Sequence, residues 1–405
     1  MTTPSLRRTL SGLRSELDGI TGEASDARPL TLIEYQRFAV KTYRGRGTGN
    51  EKLEFLLLGL FGEVGSLLSE LKKKQRDRSS YIAYNSSSIE ETGDVLWYLA
   101  NVVDHCGLSL GVLAGYPEPE AAVRPLLDLQ PQASLFHAPA SPPRVQESLL
   151  TLAGTVGTLV SRHKSIVGTD AMATGLASIL SQLGSASTDA HISLAEAAHA
   201  NLDKLMDRWP IQRKWGPLLD AKDLPSEQFP RVMRVLFKEL KVGQRVFTYQ
   251  SMNDVNIGDR LTDNSFEEDD YRFHDVFHLA FAGILGWSPV LRTLLGVRRR
   301  SRPDIDEVQD GARAKITEEG LSNWVFSHGL RYEAFEHVDS LDFALLKTIG
   351  QMVKGYEAES LRPWMWEQAI LEGFRVFRFL REHRGGLVTA DLDRRCLSVE
   401  MAPNP

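Results

Sequence analysis

Cysteine is nearly absent from this sequence: Cys106 and Cys396 are the two in 405 residues. Two cysteines so far apart build neither a disulfide framework nor a zinc-ligand spacing, and a reducing, cytoplasmic setting is the simplest expectation. Long apolar runs are missing too. No stretch approaches about eighteen uncharged apolar residues, so no membrane span is expected. The opening text, MTTPSLRRTLSGLRSELDG, has no apolar run of signal-peptide length. Nor is there an excess of positive charge. The 47 Lys and Arg against 53 Asp and Glu leave a formal net charge of −6, which gives no electrostatic reason for general nucleic-acid binding. What is present is ordinary for a globular protein: 42% hydrophobic and 25% charged residues, in a chain long enough for two or three domains.

Residues 1–28 are polar and turn-rich and read as a tail. LTLIEYQRFAVKTY then places Leu32, Tyr35, Phe38, Ala39 and Tyr43 on one helical face. A long apolar helix is expected from about Lys52 to Lys74, ending in the basic turn ELKKKQRDR. The next, NSSSIEETGDVLWYLANVVDHCG, opens with serines able to cap it. Residues 116–144 are rich in proline and alanine and read as a linker. Helical text resumes over 145–210. Beyond 220 the chain changes character, with more aromatics, a short hairpin near Arg245–Thr262 and several amphipathic helices up to about 390. The expected class is mainly α, a helical bundle over 29–210 followed by a second, mostly helical domain over 220–390.

The text repeats itself faintly. LLGLFGEVGSLL (57–68) aligns without a gap on LLTLAGTVGTLV (149–160), ETGDVLWYL (91–99) on ATGLASILS (173–181), and GLSLGVLAG (107–115) on HISLAEAAH (191–199). A duplication, copy one at 30–115 and a degenerate copy two at 145–210, accounts for three matches in order. The copies differ in chemistry. Glu63, Glu91 and Asp94 of the first become Thr155, Ala173 and Leu176 in the second. Glu91 and Asp94, three apart, share a helical face. Glu63, flanked by apolar and small residues on the preceding helix, needs a partner if buried. Acids meeting between two helices suit a hard divalent cation such as Mg2+, which takes carboxylates together with substrate phosphates. A solvated acidic face is the other reading of the same residues.

The order of LTLIEYQRFAVKTY, GLFGEVGSLLSELKK, EETGDVLWYLA and ISLAEAAHANLDKLMDR resembles the MazG-like nucleoside triphosphate pyrophosphohydrolases, an all-α superfamily. The likeness covers roughly residues 30–210. It implies Mg2+-dependent attack of water on the α-phosphorus of a nucleoside triphosphate, giving the monophosphate and pyrophosphate, with Mn2+ as an alternative ion. It assigns the metal and the catalysis to Glu63, Glu91 and Asp94, and substrate contact to Asn201, Lys204 and Arg208. Lys204 and Arg208, four apart, can reach one anion or form a solvated basic face beside Asp203 and Asp207. The family's second acid is expected at position 66, where this chain has Ser66; Glu70 is a candidate to compensate. Ser66 also keeps open an alternative, a degenerate bundle that senses nucleotides and controls a C-terminal effector domain. Expected partners are a nucleoside triphosphate and, optionally, further copies of the chain.

In the C-terminal half, YRFHDVFHLAFAGILGWSPVLR places His274 and His278 one turn apart, and ARAKITEEGLSNWVFSHG carries Glu318, Glu319 and His328. With Glu333 and Glu372 on later helices these could form a second metal site or a buried polar network. Segments of this kind resemble the companions of MazG-like domains. VRRRSRPDIDE (297–307) reads as a solvated loop or, less simply, a phosphate contact. Trp364 and Trp366 read as core or interface.

Overall fold

The computed structural model describes residues 29–45, 47–130, 142–210 and 213–402. The chain divides into two compact units, Met1–Gln212 and Arg213–Pro405. The expected tail and the end of the proline- and alanine-rich stretch, 131–141, lie outside the described residues.

The first unit is helical. α1 (Leu32–Thr42) begins at a capping box: Thr31 accepts from the Glu34 backbone N–H, and the Glu34 carboxylate accepts from the Thr31 N–H. Its buried face is Leu32, Tyr35, Phe38 and Ala39. α2 (Gly49–Asp77) and α3 (Tyr84–His105) run antiparallel, with Gly59 against the Tyr98 ring and Glu70 beside Tyr81. The serines expected to cap α3 lie inside its first turns; Ala83 stands at its N-cap and makes no side-chain bond. α4 (Pro142–Ile166), α5 (Asp170–Asp189) and α6 (Leu194–Arg208) complete the unit. α6 starts at Ser193, whose hydroxyl accepts from the Glu196 N–H. It crosses α3 closely enough that a Cβ on Gly93 would come 2.5 Å from the Ala197 carbonyl oxygen. Glycine at 93 therefore sets the approach of α6.

Several hydrogen bonds recur between the two halves of this unit. The Gln36 side-chain amide donates to the Leu108 carbonyl (2.9 Å) and accepts from the Leu110 N–H (2.8 Å). Gln130 does the same to the Ile192 carbonyl (2.9 Å) and the Leu194 N–H (2.7 Å). The turns that these glutamines clamp both pass through the left-handed region, at Gly107 (φ 69°) and His191 (φ 56°). Leu32 N–H donates to the Arg124 carbonyl, and Leu126 N–H to that of Leu30. Residues 124–130 thus stand to the second helical hairpin as 30–36 stand to the first. This part of the stretch expected to link is built into the unit, with Leu126 and Gln130 buried.

Burial also corrects one alignment. On α2 and α4 the buried positions Leu57, Leu60, Val64 and Leu67 match Leu149, Leu152, Val156 and Leu159, as the text aligns them. On the following helices the shared Thr-Gly misleads. Thr92, Val95, Leu96 and Leu99 of α3 correspond by burial to Leu176, Ile179, Leu180 and Leu183 of α5, two residues further along. Glu91 then faces Gly175, and Asp94 faces Ser178, as counterparts.

The second unit holds a five-stranded antiparallel sheet in the order β3-β2-β1-β4-β5. The strands are β1 (Val232–Val242), β2 (Arg245–Met252), β3 (Val255–Asn256), β4 (Gly385–Asp391) and β5 (Cys396–Glu400). Met233, Val235 and Phe237 alternate inward along β1, the period-two pattern of a half-buried strand. The expected hairpin is present as β2–β3, turning through Asn253 and Asp254, both at positive φ. β1, β4 and β5 were not expected from the text. Between the strands run α7 (Asp275–Ala280), continued by a π-helical turn Phe281–Leu285, α8 (Pro289–Leu294), α9 (Pro303–Gln309), α10 (Ala312–Leu330), α11 (Phe343–Met352) and α12 (Pro363–His383). Trp364 and Trp366 are fully buried in the core these elements share.

Candidate active site

Glu63 on α2 and Glu91 and Asp94 on α3 meet, with ligand oxygens all within 4.8 Å of one another. The antiparallel hairpin brings them together: each is half-buried at the edge of the apolar stripe between the helices. Such proximity costs free energy when all three are ionised. Burial above all, and then the charges of Glu63 and Asp94, push the Glu91 carboxyl up to about 8. Glu63 is raised by burial and then by Asp94, and its hydrogen bond with Glu91 partly relieves it. Their mutual hydrogen bond favours the protonated form of Glu91 and the ionised form of Glu63.

α6 supplies the opposite charge. Lys204 Nζ lies 2.6 Å from both oxygens of Asp94 and 3.6 Å from Glu90, and Asn201 Nδ2 also donates to Asp94 Oδ1 (2.5 Å). Asp94 is nevertheless raised, because burial outweighs Lys204. Asn201 is buried and its Oδ1 has no hydrogen-bond partner among the described residues. Among the described residues Lys204 is the cation in contact with this acid cluster, whose close carboxylate oxygens suit a divalent cation chemically.

The other expected residues divide. Arg208 lies over the Trp209 ring, 4.4 Å from its centroid, one turn beyond Lys204. Glu70 is buried but takes no part in the cluster: Lys73 donates to it at 2.6 Å, and so does the Tyr81 hydroxyl. It is held as a structural ion pair and does not stand in for an acid at 66. Ser66 is half-buried one turn after Glu63. Glu90 was missed, although the doublet Glu90–Glu91 was visible in the text. It becomes relevant only because α6 delivers Lys204 between the two helical positions.

In the second unit His274, Asp275 and His278 form another close cluster, with ligand atoms within 4.8 Å. Glu319 borders it, at 3.5 Å from His278 Nε2 and 4.0 Å from His274 Nε2. Glu318 reaches His278 from the other side, at Nδ1 (2.7 Å). His328, Glu333 and Glu372 are not gathered in: His328 packs among Trp324, Tyr332 and Phe335, Glu333 occupies a tight turn at positive φ, and Glu372 pairs with Arg375. The arginine run expected to be a solvated loop or a phosphate contact is exposed at Arg300 and Arg302, but its middle residue turns inward. Arg299 is buried and makes paired hydrogen bonds to Asp310 and Glu357, and Arg298 pairs with Asp306. Charges so engaged hold the unit together.

Residues 214–403 match the family model described as the MazG C-terminal domain. The gene 37 protein of Mycobacterium phage L5 is 32% identical to this chain over 85 residues, which are 20% of this chain and 75% of the phage protein. No solved structure matches the chain. Because the family match runs almost from end to end of the second unit, the chain belongs among the MazG-associated proteins.

Proposed function

We propose that the first unit is a nucleoside triphosphate pyrophosphohydrolase, built on two related helical hairpins of which one carries the acids. The observation that carries this reading is the convergence of Glu63, Glu91 and Asp94 beneath Lys204. Membership among the MazG-associated proteins points toward nucleotides, and the resemblance of residues 30–210 points toward the reaction. The three carboxylates would hold Mg2+, or Mn2+, which when bound neutralises phosphate oxygens and acidifies water. Lys204, tethered to Asp94, would contact the triphosphate, with Asn201 fixing Asp94 beside it. Arg208, one turn on, is the outer candidate for the same anion. Glu63, whose ionised form is the more favoured of the pair, would take the proton of the attacking water. The new bond forms between the water oxygen and the α-phosphorus. The bond from that phosphorus to the α–β bridging oxygen breaks, and pyrophosphate leaves with that oxygen.

Ser66 favours a second reading, in which the bundle binds nucleotides without turnover and acts on the second unit. A pyrophosphate-release assay over all ribo- and deoxyribonucleoside triphosphates, with Mg2+ or Mn2+, separates the two. Release that disappears in Glu91→Gln supports the enzyme. Nucleotide binding without release supports the sensor and overturns the hydrolase.

A further inference from the structure

The geometry of the second unit points to a site for a divalent transition metal of the zinc class, held by Nε2 of His274 and His278 and by the carboxylates of Asp275 and Glu319. The inference is independent of the chemistry proposed for the first unit.

The tautomers make the case. His278 Nδ1 lies 2.7 Å from Glu318 Oε1. Glu318 already accepts from the Ser288 hydroxyl at Oε1 (2.6 Å) and from the Val290 N–H at Oε2 (2.8 Å), so both its oxygens act as acceptors. His274 Nδ1 lies 2.9 Å from the Tyr271 carbonyl oxygen, which can only accept. Both rings therefore carry a proton on Nδ1, which leaves Nε2 as the atom that a metal would meet. Metal-bound histidines are usually held this way, with the far nitrogen donating to a carboxylate or a backbone carbonyl.

Both Nε2 atoms turn toward the same acids. His274 Nε2 is 3.1 Å from Asp275 Oδ1, and His278 Nε2 is 3.5 Å from Glu319 Oε2. Ligands bound at about 2.0–2.1 Å in a tetrahedron stand roughly 3.3–3.4 Å from each other, so these separations are already those of a ligand shell. His278 is 1% exposed, yet its Nε2 has no hydrogen-bond partner among the described residues. Its nearest acceptor is the half-exposed Glu319 carboxylate at 3.5 Å, a loose contact for a buried imidazole nitrogen.

The surroundings make the cluster stiff on one side and open on the other. Tyr271 stacks on His274, with ring centroids 4.0 Å apart and planes within 5°. The π-helical turn Phe281–Leu285 follows directly on α7, a distortion common at functional sites. The Glu319 side chain is 49% exposed and forms the solvent side. Two imidazoles with two carboxylates select zinc, iron(II) or manganese over magnesium, the opposite preference to the all-oxygen cluster of the first unit.

The test uses the full chain carrying Glu91→Gln, which disables the first cluster, stripped with chelator and titrated with Co2+. The expected result is one equivalent bound, with the visible absorption of low-coordinate cobalt, displaced by Zn2+. His274→Asn and Glu319→Gln should abolish that absorption while far-ultraviolet circular dichroism stays unchanged. Glu318→Gln keeps all four ligands and should weaken binding about 10–100-fold. Glu319→Gln, at a half-exposed position, keeps the test decisive if the His274 variant fails to fold. Absence of the cobalt absorption in the folded parent, or its survival in a folded Glu319→Gln protein, would overturn the proposal and leave His278 as an ion-pair partner of Glu318 and Glu319.

Discussion

The two hairpins of the first unit bury the same stripe and present different groups at its edge. Leu57, Leu60, Val64 and Leu67 of α2 pack as Leu149, Leu152, Val156 and Leu159 of α4 do. At the half-exposed positions Glu63 answers to Thr155 and Ser66 to Thr158. Where the first hairpin has its acid cluster, the second has a groove of about 460 Å³ lined by Thr151, Thr155, Thr158, Arg162, Thr174 and Gly175. The hydroxyls of Thr151, Thr155 and Thr158 each donate to the carbonyl four residues back, at 2.9, 3.1 and 2.8 Å. Among the described residues the groove is lined by no carboxylate, and these three threonines are turned to their own helix. The closing helix differs as well. α6 runs unbroken through Asn201 and Lys204, whereas the helix after Ser109 ends at Leu113 and the chain continues through Gly115, Pro117 and Pro119. The comparison separates two jobs: buried apolar residues specify a hairpin that stands without acids, and half-buried acids add chemistry at a cost in stability.

The largest effect should come from removing the chemistry and leaving the packing. Glu91→Gln is expected to lower kcat/KM for pyrophosphate release by at least about 100-fold, with circular dichroism unchanged. A loss below about tenfold would mean that the two hairpins do not differ in the way described. The next effect is on stability. The raised pKa of Glu91 means that the folded state favours its protonated form. The corresponding stabilisation is full below the ordinary value of 4.5 and is lost as pH rises toward about 8. The metal-free protein should therefore melt at progressively lower temperature across that window. Saturating Mg2+ should flatten the slope, and so should Glu91→Gln, while Thr155→Val in the other hairpin should leave it as it is. A melting temperature independent of pH would sink the account of the acid cluster. Smaller again is Ser66→Glu. A fourth carboxylate one turn from Glu63 should tighten Mg2+ binding several-fold, read by calorimetry, and lower the melting temperature of the metal-free protein. Unchanged affinity would place position 66 outside the ion's reach.

Much of this was legible in the text because it rests on local periodicity. The helices of the first unit and the meeting of Glu63 with Glu91 and Asp94 follow from spacing and from a short polar connection. What escaped depends on partners distant in sequence. Gln130 looked like part of a linker, since nothing local reveals that its amide clamps the turn at His191. Arg299 looked solvated because its acids lie 11 and 58 residues away. The rest of the sheet was missed for the same reason: β1 pairs with β4, which follows a long helical stretch, and the short strands β4 and β5 carry little periodic signal. Glu318 and Glu319 were adjacent letters with one expected role. The fold gave them different ones, because neighbours on a helix point about 100° apart.

The smallest predicted effect tests the comparison from its silent side. Thr155→Glu places a carboxylate in the second hairpin where Glu63 stands in the first. If a single acid at that position were enough to make a cation site, this variant would gain Mg2+ affinity. It should not. The counterparts of Glu91 and Asp94, set by burial, are Gly175 and Ser178, which offer no second carboxylate, and no lysine-bearing helix closes the groove. Thr155 is half-buried beside an open cleft, so the new acid can turn to water and stability should change by less than about 0.5 kcal/mol. Calorimetry against Mg2+ and a thermal melt check both statements. A measurable new Mg2+ site in this variant would show that the groove kept more of the acid hairpin's character than its residues indicate.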